Sequence, residues 1–368
     1  QYFDTSAYKG TISLKEILAQ LKTGNYKPAN PFNTGDTQVI PGNKLFLNLD
    51  SAKIDWKSFN SQPAETMTIN LGDKSAVYRQ ELMLMELLSN LNDDDWKRPI
   101  YFATTVDPNL YLNLKNTNFS LTGLAYQVVP GTPLNDGVNL EKAYDNMMNK
   151  FRWGGLEENP DIYLDETSRR MISTFRLYFS QLIEALVDAG ENEKAIAALD
   201  KATTFMPASA VPYGNDGILF ARAYYHLGET EKAQKLMGEI EERLHANLDW
   251  YDRLTPRQIS STMYDIYYNI HSMLLISTIY QDYDADKYQT ITNDLLQRSE
   301  VYYLMGAGTL GDEILKDVAN NSIRSLYSSA EDSTQEEAAK ESLQHTMQIM
   351  QQYSPRLFEQ FSKAMQAE

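Results

Sequence analysis

Two segments in the middle of the chain repeat one spacing. The first runs Ala189, Gly190, Glu191, Asn192, Glu193, Lys194, Ala195; the second runs Leu227, Gly228, Glu229, Thr230, Glu231, Lys232, Ala233. Gly190 and Gly228 stand 38 residues apart, and so do Ala195 and Ala233. A period in this range belongs to stacked helical hairpins, each able to bury its apolar face only against a neighbour. Arrays of this kind hold or dock other molecules, so the repeat points to a scaffold and names no reaction.

The first copy reads in detail. Phe179, Leu182, Leu186 and Val187 recur at helical spacing. Gly190 ends that helix, because glycine enters the left-handed cap conformation without a Cβ penalty. A second helix follows with Ala195, Leu199 and Ala202 in one stripe, and Pro207 stops it. The order Gly190, Ala195, Ala202, Pro207 resembles the tetratricopeptide repeat. The second copy keeps Phe220, Tyr224, Gly228 and Ala233 but has Ile240 and His245 where alanine and proline stood before. The alternative is a pair of plain antiparallel hairpins in a bundle. The clearest repeats cover 176–209 and 214–247.

With 368 residues, 42% of them hydrophobic, the chain can bury a sizeable core. A formal net charge of −17 repels phosphate backbones and anionic membrane surfaces, which argues against nucleic acid as a partner. With no cysteine there is no disulfide, thiolate metal site or cysteine nucleophile. No apolar run approaches the ~20 residues that span a bilayer. The chain opens on Gln1 with no visible signal peptide, so the expectation is an excised segment with anchoring or targeting sequence upstream.

Residues 1–138 read as a small mixed α/β domain. A short helix holds Leu14, Ile17, Leu18 and Leu21 and stops near Gly24. Lys44 to Leu49 and Thr66 to Leu71 alternate as half-buried strands, Val77 to Leu91 is an amphipathic helix broken by Asn92 to Asp95, and strands are expected at Ile100 to Val106 and within Phe119 to Val129. Residues 139–368 read as an all-α helical-hairpin domain. Its expected helices lie at 139–151, 165–189, 193–205, 215–227, 230–247, 257–281, 285–303, 311–328 and 334–352. The last opens with Ser333 and Glu336 at capping-box spacing, and Pro355 leaves a short tail. The fold class is therefore α+β.

Chemical motifs are few. Gly306, Gly308 and Gly311 fit the dinucleotide fingerprint, which works only between a strand and a helix; here helices flank it, and a glycine-rich interhelical loop is the better reading. Asp282, Asp284 and Asp286 open like a calcium loop, but Lys287 replaces its glycine and Asn293 its bidentate glutamate. No two of His226, His245, His271 and His345 stand at i, i+3 or i, i+4. No nucleophile elbow is present, and nothing singles out a pair of carboxylates. Hence no catalytic residue, metal ligand or cofactor is assigned. Tyr264, Tyr267 and Tyr268 cluster on one helix; packing between helices is favoured over sugar or peptide anchoring.

A series of blocks goes beyond generic helices and strands. It runs Asp95, Trp96, Lys97, Arg98, Pro99, Ile100, Tyr101, Phe102; then Leu121, Thr122, Gly123, Leu124, Ala125, Tyr126, Gln127; then Phe151, Arg152, Trp153, Gly154, Gly155; then Tyr163, Leu164, Asp165, Glu166 with Arg170 and Met171. In this order they resemble the C-terminal region of a large membrane-protein family best known from Bacteroidetes, itself similar to multi-spanning, lipid-sugar-dependent protein O-mannosyltransferases. Thr122 departs from the glutamate expected there, and Gln127 from arginine. The resemblance implies a catalytic carboxylate between early membrane helices that this chain lacks, so none is carried over. It also implies tetratricopeptide-like repeats and a location on the periplasmic face of the cytoplasmic membrane.

The leading expectation is thus a non-catalytic accessory region of a membrane glycosyltransferase that binds or orients an acceptor protein. Its partners would be the acceptor protein or peptide and its own membrane domain. The alternative is a stand-alone periplasmic adaptor. Tyr178, Arg222 and Tyr225 are expected to point off the packing stripe, towards an acceptor segment in the concave face, unless the helices beyond 257 fill that face.

Overall fold

The computed structural model describes residues 2–3, 11–23, 39–40, 42–72, 77–328 and 333–367. The fold is α+β, a small mixed-sheet region followed by a helical array. By contacts the chain divides into two compact units, residues 1–162 with 177–207, and residues 163–176 with 208–368. This division differs from a cut after residue 138. The reason is packing: the apolar stripe of the first hairpin goes with the sheets, where Phe179 meets Trp153 (5.0 Å) and Tyr178 meets Tyr126 (6.5 Å between ring centroids).

The first unit begins with β1 (Tyr2–Phe3), β2 (Ile12–Ser13), α1 (Leu14–Thr23), β3 (Val39–Ile40), β4 (Lys44–Asn48), α2 (Trp56–Phe59) and β5 (Thr66–Asn70). Strand β1 runs parallel to β3, and β2 parallel to β4, which pairs antiparallel with β5. Alternation fixes the register: Leu45 sits opposite Ile69 and Leu47 opposite Met67, all four buried. The expected helix stop at Gly24 and the capping side chain of Ser333 lie outside the described residues.

Helix α3 (Arg79–Asp93) buries Leu84, Met85, Leu88 and Leu91. Glu81 accepts a hydrogen bond from the Tyr78 backbone N–H at 2.8 Å and closes its N-terminus. It ends where expected: Asp95 and Trp96 turn left-handed, and the Trp96 ring drops edge-on against Phe59 at 5.9 Å.

A second sheet follows from β6 (Tyr101–Ala103), α4 (Lys115–Asn118), β7 (Phe119–Leu121) and β8 (Ala125–Val128), ordered β6-β8-β7 and antiparallel throughout. The apolar run from Phe119 is therefore a hairpin and not one strand. Gly123 has φ +118° at the turn, and an added Cβ would come within 2.9 Å of the Phe151 ring. The expected helix 139–151 is α5 (Leu140–Asp145), continued by a π-helical turn over Asn146–Lys150.

Trp153 is half-buried, donates its indole N–H to the Met147 carbonyl at 3.1 Å, and packs on Phe151 and Phe179. It joins the loop after the π-turn to α6 (Glu166–Asp188) and α7 (Asn192–Phe205). Trp153→Ala should destabilise the first unit by about 3 kcal/mol, the low end for emptying an aromatic site. Thermal unfolding measures this, and an unchanged melting temperature would contradict the packing role.

The second unit holds α8 (Asn215–His226), α9 (Thr230–Tyr251), α10 (Pro256–Tyr283), α11 (Ala285–Leu304), α12 (Gly308–Ser328), α13 (Ser333–Tyr353) and α14 (Pro355–Ala367), each packed on its successor. The expected short tail is a helix. Pro355 ends α13 but also suits the first turn of α14, where its missing N–H costs nothing and Leu357 is buried.

One backbone motif turns three of these helix pairs. Gly190 donates to the Val187 carbonyl and Glu191 to Leu186, with Gly190 at φ +74°. Gly228 donates to Tyr225 and Glu229 to Tyr224, and Gly306 donates to Tyr303 and Ala307 to Tyr302. This is the Schellman pattern of paired bonds to the last helical carbonyls. Gly306 therefore caps α11, while Gly308 and Gly311 lie inside α12, so the apparent dinucleotide fingerprint is a helix-helix turn.

Candidate functional site

Among the described residues no three His, Cys, Asp or Glu side chains converge to hold a metal ion. His245 faces Asp294 at 3.6 Å, and His271 stacks on Tyr267. Asp284 accepts from the Lys287 backbone N–H at 3.1 Å and caps α11, which is its structural use in the Asp282–Asp286 run.

The residues expected to face an acceptor fall in different units. Tyr178 belongs to the first unit and Arg222 and Tyr225 to the second. Tyr178 is buried against Tyr126, and Tyr225 is buried by stacking on Tyr283 of α10 at 4.8 Å. Both were expected off the packing stripe; amphipathic tyrosines are drawn inward where an aromatic neighbour covers the ring. Arg222 is exposed. Helix α10 also meets α8 through Ser272, whose hydroxyl donates to Asn215 at 2.8 Å, so the face of α8 with Tyr225 is covered by α10. Conversely Tyr264, Tyr267 and Tyr268, expected between helices, are 81%, 41% and 40% exposed on the first half of α10.

The family-like blocks are built into the second sheet. Gln127 accepts from the Lys142 ammonium at 3.0 Å, and Lys142 also donates to the Ser58 carbonyl at 2.8 Å. An arginine at 127 could not accept that bond. Burial pulls the Lys142 ammonium below its ordinary value. The Thr122 hydroxyl donates to the Ala125 carbonyl and tightens the hairpin. Arg98 pairs with Asp94 at 3.1 Å on the surface, a contact worth little.

Two clefts open in the first unit. One, of about 700 Å³, lies beside β7 and β8 with Phe119 and Tyr126 at its floor and Gln181, Glu184 and Asp188 of α6 along one wall. Burial pushes the Tyr126 phenol well above its ordinary range. The other, of about 800 Å³, lies beside α5, but its charges are largely satisfied: Lys194 pairs with Glu191, and Asp145 with Lys150.

Sequence reasoning missed two buried cations in the second unit. Arg176, fully buried, donates to Asp216 at 3.0 Å and to the Val211 carbonyl at 2.7 Å, and lies 4.2 Å over the Tyr213 ring. Burial pushes the Tyr213 phenol up to about 12. Arg298 of α11 meets Asp249, Asp252 and Asp294. A basic residue at an otherwise apolar helical position was the available signal for both.

A mixed-sheet region leading into a helical-hairpin array is the class this fold defines. Residues 1–147 match the family described as TMEM260-associated domain 2. No curated protein matches the chain, and no solved structure does. No helix among the described residues is long and apolar enough to cross a membrane.

Proposed function

We propose that this chain is a non-catalytic accessory region of a TMEM260-like, multi-spanning membrane glycosyltransferase that uses a lipid-linked sugar. It faces the periplasm, and it binds or orients the acceptor protein. The observation that carries this reading is the match of residues 1–147 to TMEM260-associated domain 2. The helical hairpins after it support a docking role, since such arrays offer extended surfaces. Of Tyr178, Arg222 and Tyr225, Arg222 is the exposed one.

The purified chain, given lipid-linked sugar and candidate acceptors, should show neither transfer nor hydrolysis. Robust turnover abolished by changing a single carboxylate would contradict the proposal. The reading frame upstream of Gln1 should encode many apolar spans; a short signal peptide alone would favour the adaptor.

A further inference from the structure

We infer that Lys142 is a nucleophilic amine that condenses with a small aldehyde entering the cleft beside α5. That cleft, of about 800 Å³, has room for a ligand of this size. Asn139 is the N-cap of α5 and Lys142 lies in its first turn; both line the cleft, with Leu186 of α6 as an apolar wall. The Lys142 ammonium donates to the Ser58 carbonyl at 2.8 Å and to Gln127 Oε1 at 3.0 Å. Both acceptors are neutral, and among the described residues Lys142 forms no ion pair. A neutral amine keeps both bonds with its two hydrogens and holds its lone pair free for attack. Burial favours that neutral form and outweighs the opposing charges of Glu141 and Asp55. The other carboxylates of the cleft, Asp145 and Glu191, are occupied by Lys150 and Lys194.

Asn139 supplies the matching donor. Its side chain is 5% exposed, and its Oδ1 accepts from the Lys142 backbone N–H at 3.1 Å to cap α5. Its Nδ2 has no hydrogen-bond partner among the described residues, although the residue lines the cleft. A buried amide N–H left open to a cleft calls for an acceptor brought by a ligand. A carbonyl oxygen that accepts from Nδ2 is polarised towards attack, and Lys142 is the amine beside it. The Nζ lone pair bonds to the carbonyl carbon, the oxygen leaves as water with the two amine hydrogens, and an imine remains. No oxidant, reductant or further reactant is consumed.

This chemistry does not depend on the glycosyltransferase context. The full 368-residue chain is exposed briefly to glycolaldehyde with sodium cyanoborohydride at about pH 7, which reduces the imine to a stable secondary amine. Peptide mass spectrometry then reads the alkylation of each lysine. Lys142 should react at least roughly threefold faster than Lys57 and Lys194, which line the same cleft. Glu191 holds the Lys194 ammonium above its ordinary value, which widens that contrast. Gln127→Glu sets a carboxylate against the amine, keeps it protonated and should abolish its lead while Lys57 is unchanged. Asn139→Ser keeps a capping oxygen, removes the amide donor and should slow Lys142 alone. Alkylation of Lys142 no faster than that of Lys57 in the parent chain, or an unchanged Lys142 rate in Asn139→Ser, would overturn the inference.

Discussion

Replacing Arg176 with methionine should destabilise the second unit by about 3–5 kcal/mol, because it strands a buried carboxylate. Arg176 is 0% and Asp216 4% exposed, and the other Asp216 oxygen accepts from the Gly214 backbone N–H at 2.7 Å. The cost arises less from losing the pair than from leaving Asp216 charged and without its counter-ion in a site of low dielectric. Adding Asp216→Asn should therefore recover much of the loss, since it removes the charge and keeps an acceptor for Gly214. Urea unfolding of the single and double variants reads this directly. A single variant within about 1 kcal/mol of the parent would mean that water or a rearranged neighbour replaces the guanidinium.

Arg298→Met should cost about 2–3 kcal/mol at neutral pH, less than Arg176 because its partners are partly solvated. The guanidinium side chain is 7% exposed, while Asp252, Asp294 and Asp249 are 24%, 28% and 58% exposed. His245, facing Asp294, and Tyr302 complete the cluster. Without Arg298, three carboxylates repel one another. Burial already holds the Asp252 carboxyl above its ordinary value. A carboxyl raised in the folded state binds its proton more tightly there than in the unfolded chain, so folding gains as pH falls through that value. In the parent, the hydrogen bond from Arg298 holds the Asp249 carboxyl below its ordinary value, a contribution lost on acidification. Both effects shrink the gap between variant and parent as pH falls, the Asp249 contribution only once pH drops below the ordinary carboxylate value of 3.8. Parallel denaturation at several pH values would contradict this if the gap widened.

Periodicity exposed most of the helices because each buries one stripe: Phe179, Leu182 and Leu186 in α6, and Ile291, Leu295 and Tyr302 in α11. It failed where local backbone overrides composition. The run from Phe119 to Val129 is mostly apolar, and Thr122 and Gly123 alone mark the turn within it. The turn at Gly306 reads as an interhelical loop, but its kinship with the other two is less plain although Tyr302, Tyr303 and Gly306 repeat the spacing of Tyr224, Tyr225 and Gly228. The long α10, with no glycine between, hides that kinship. Side-chain direction was harder still. Tyr225 and Tyr264 look alike in sequence, yet one is stacked under Tyr283 and the other is open, because α10 crosses α8 only along part of its length. The cleft beside β7 could not be read at all, since Asp136 and Asp188 come to line it only through tertiary structure.

The most direct test of an accessory role deletes the codons for residues 1–368 from the full-length gene and leaves the upstream frame intact. Glycosylation of candidate acceptor proteins is then read by mass spectrometry of intact glycopeptides, with membrane expression of the remainder checked in parallel. Loss of acceptor glycosylation, restored by supplying the segment in its parent context but not by the segment alone, is the predicted result. Unchanged glycosylation in the deletion strain would contradict it.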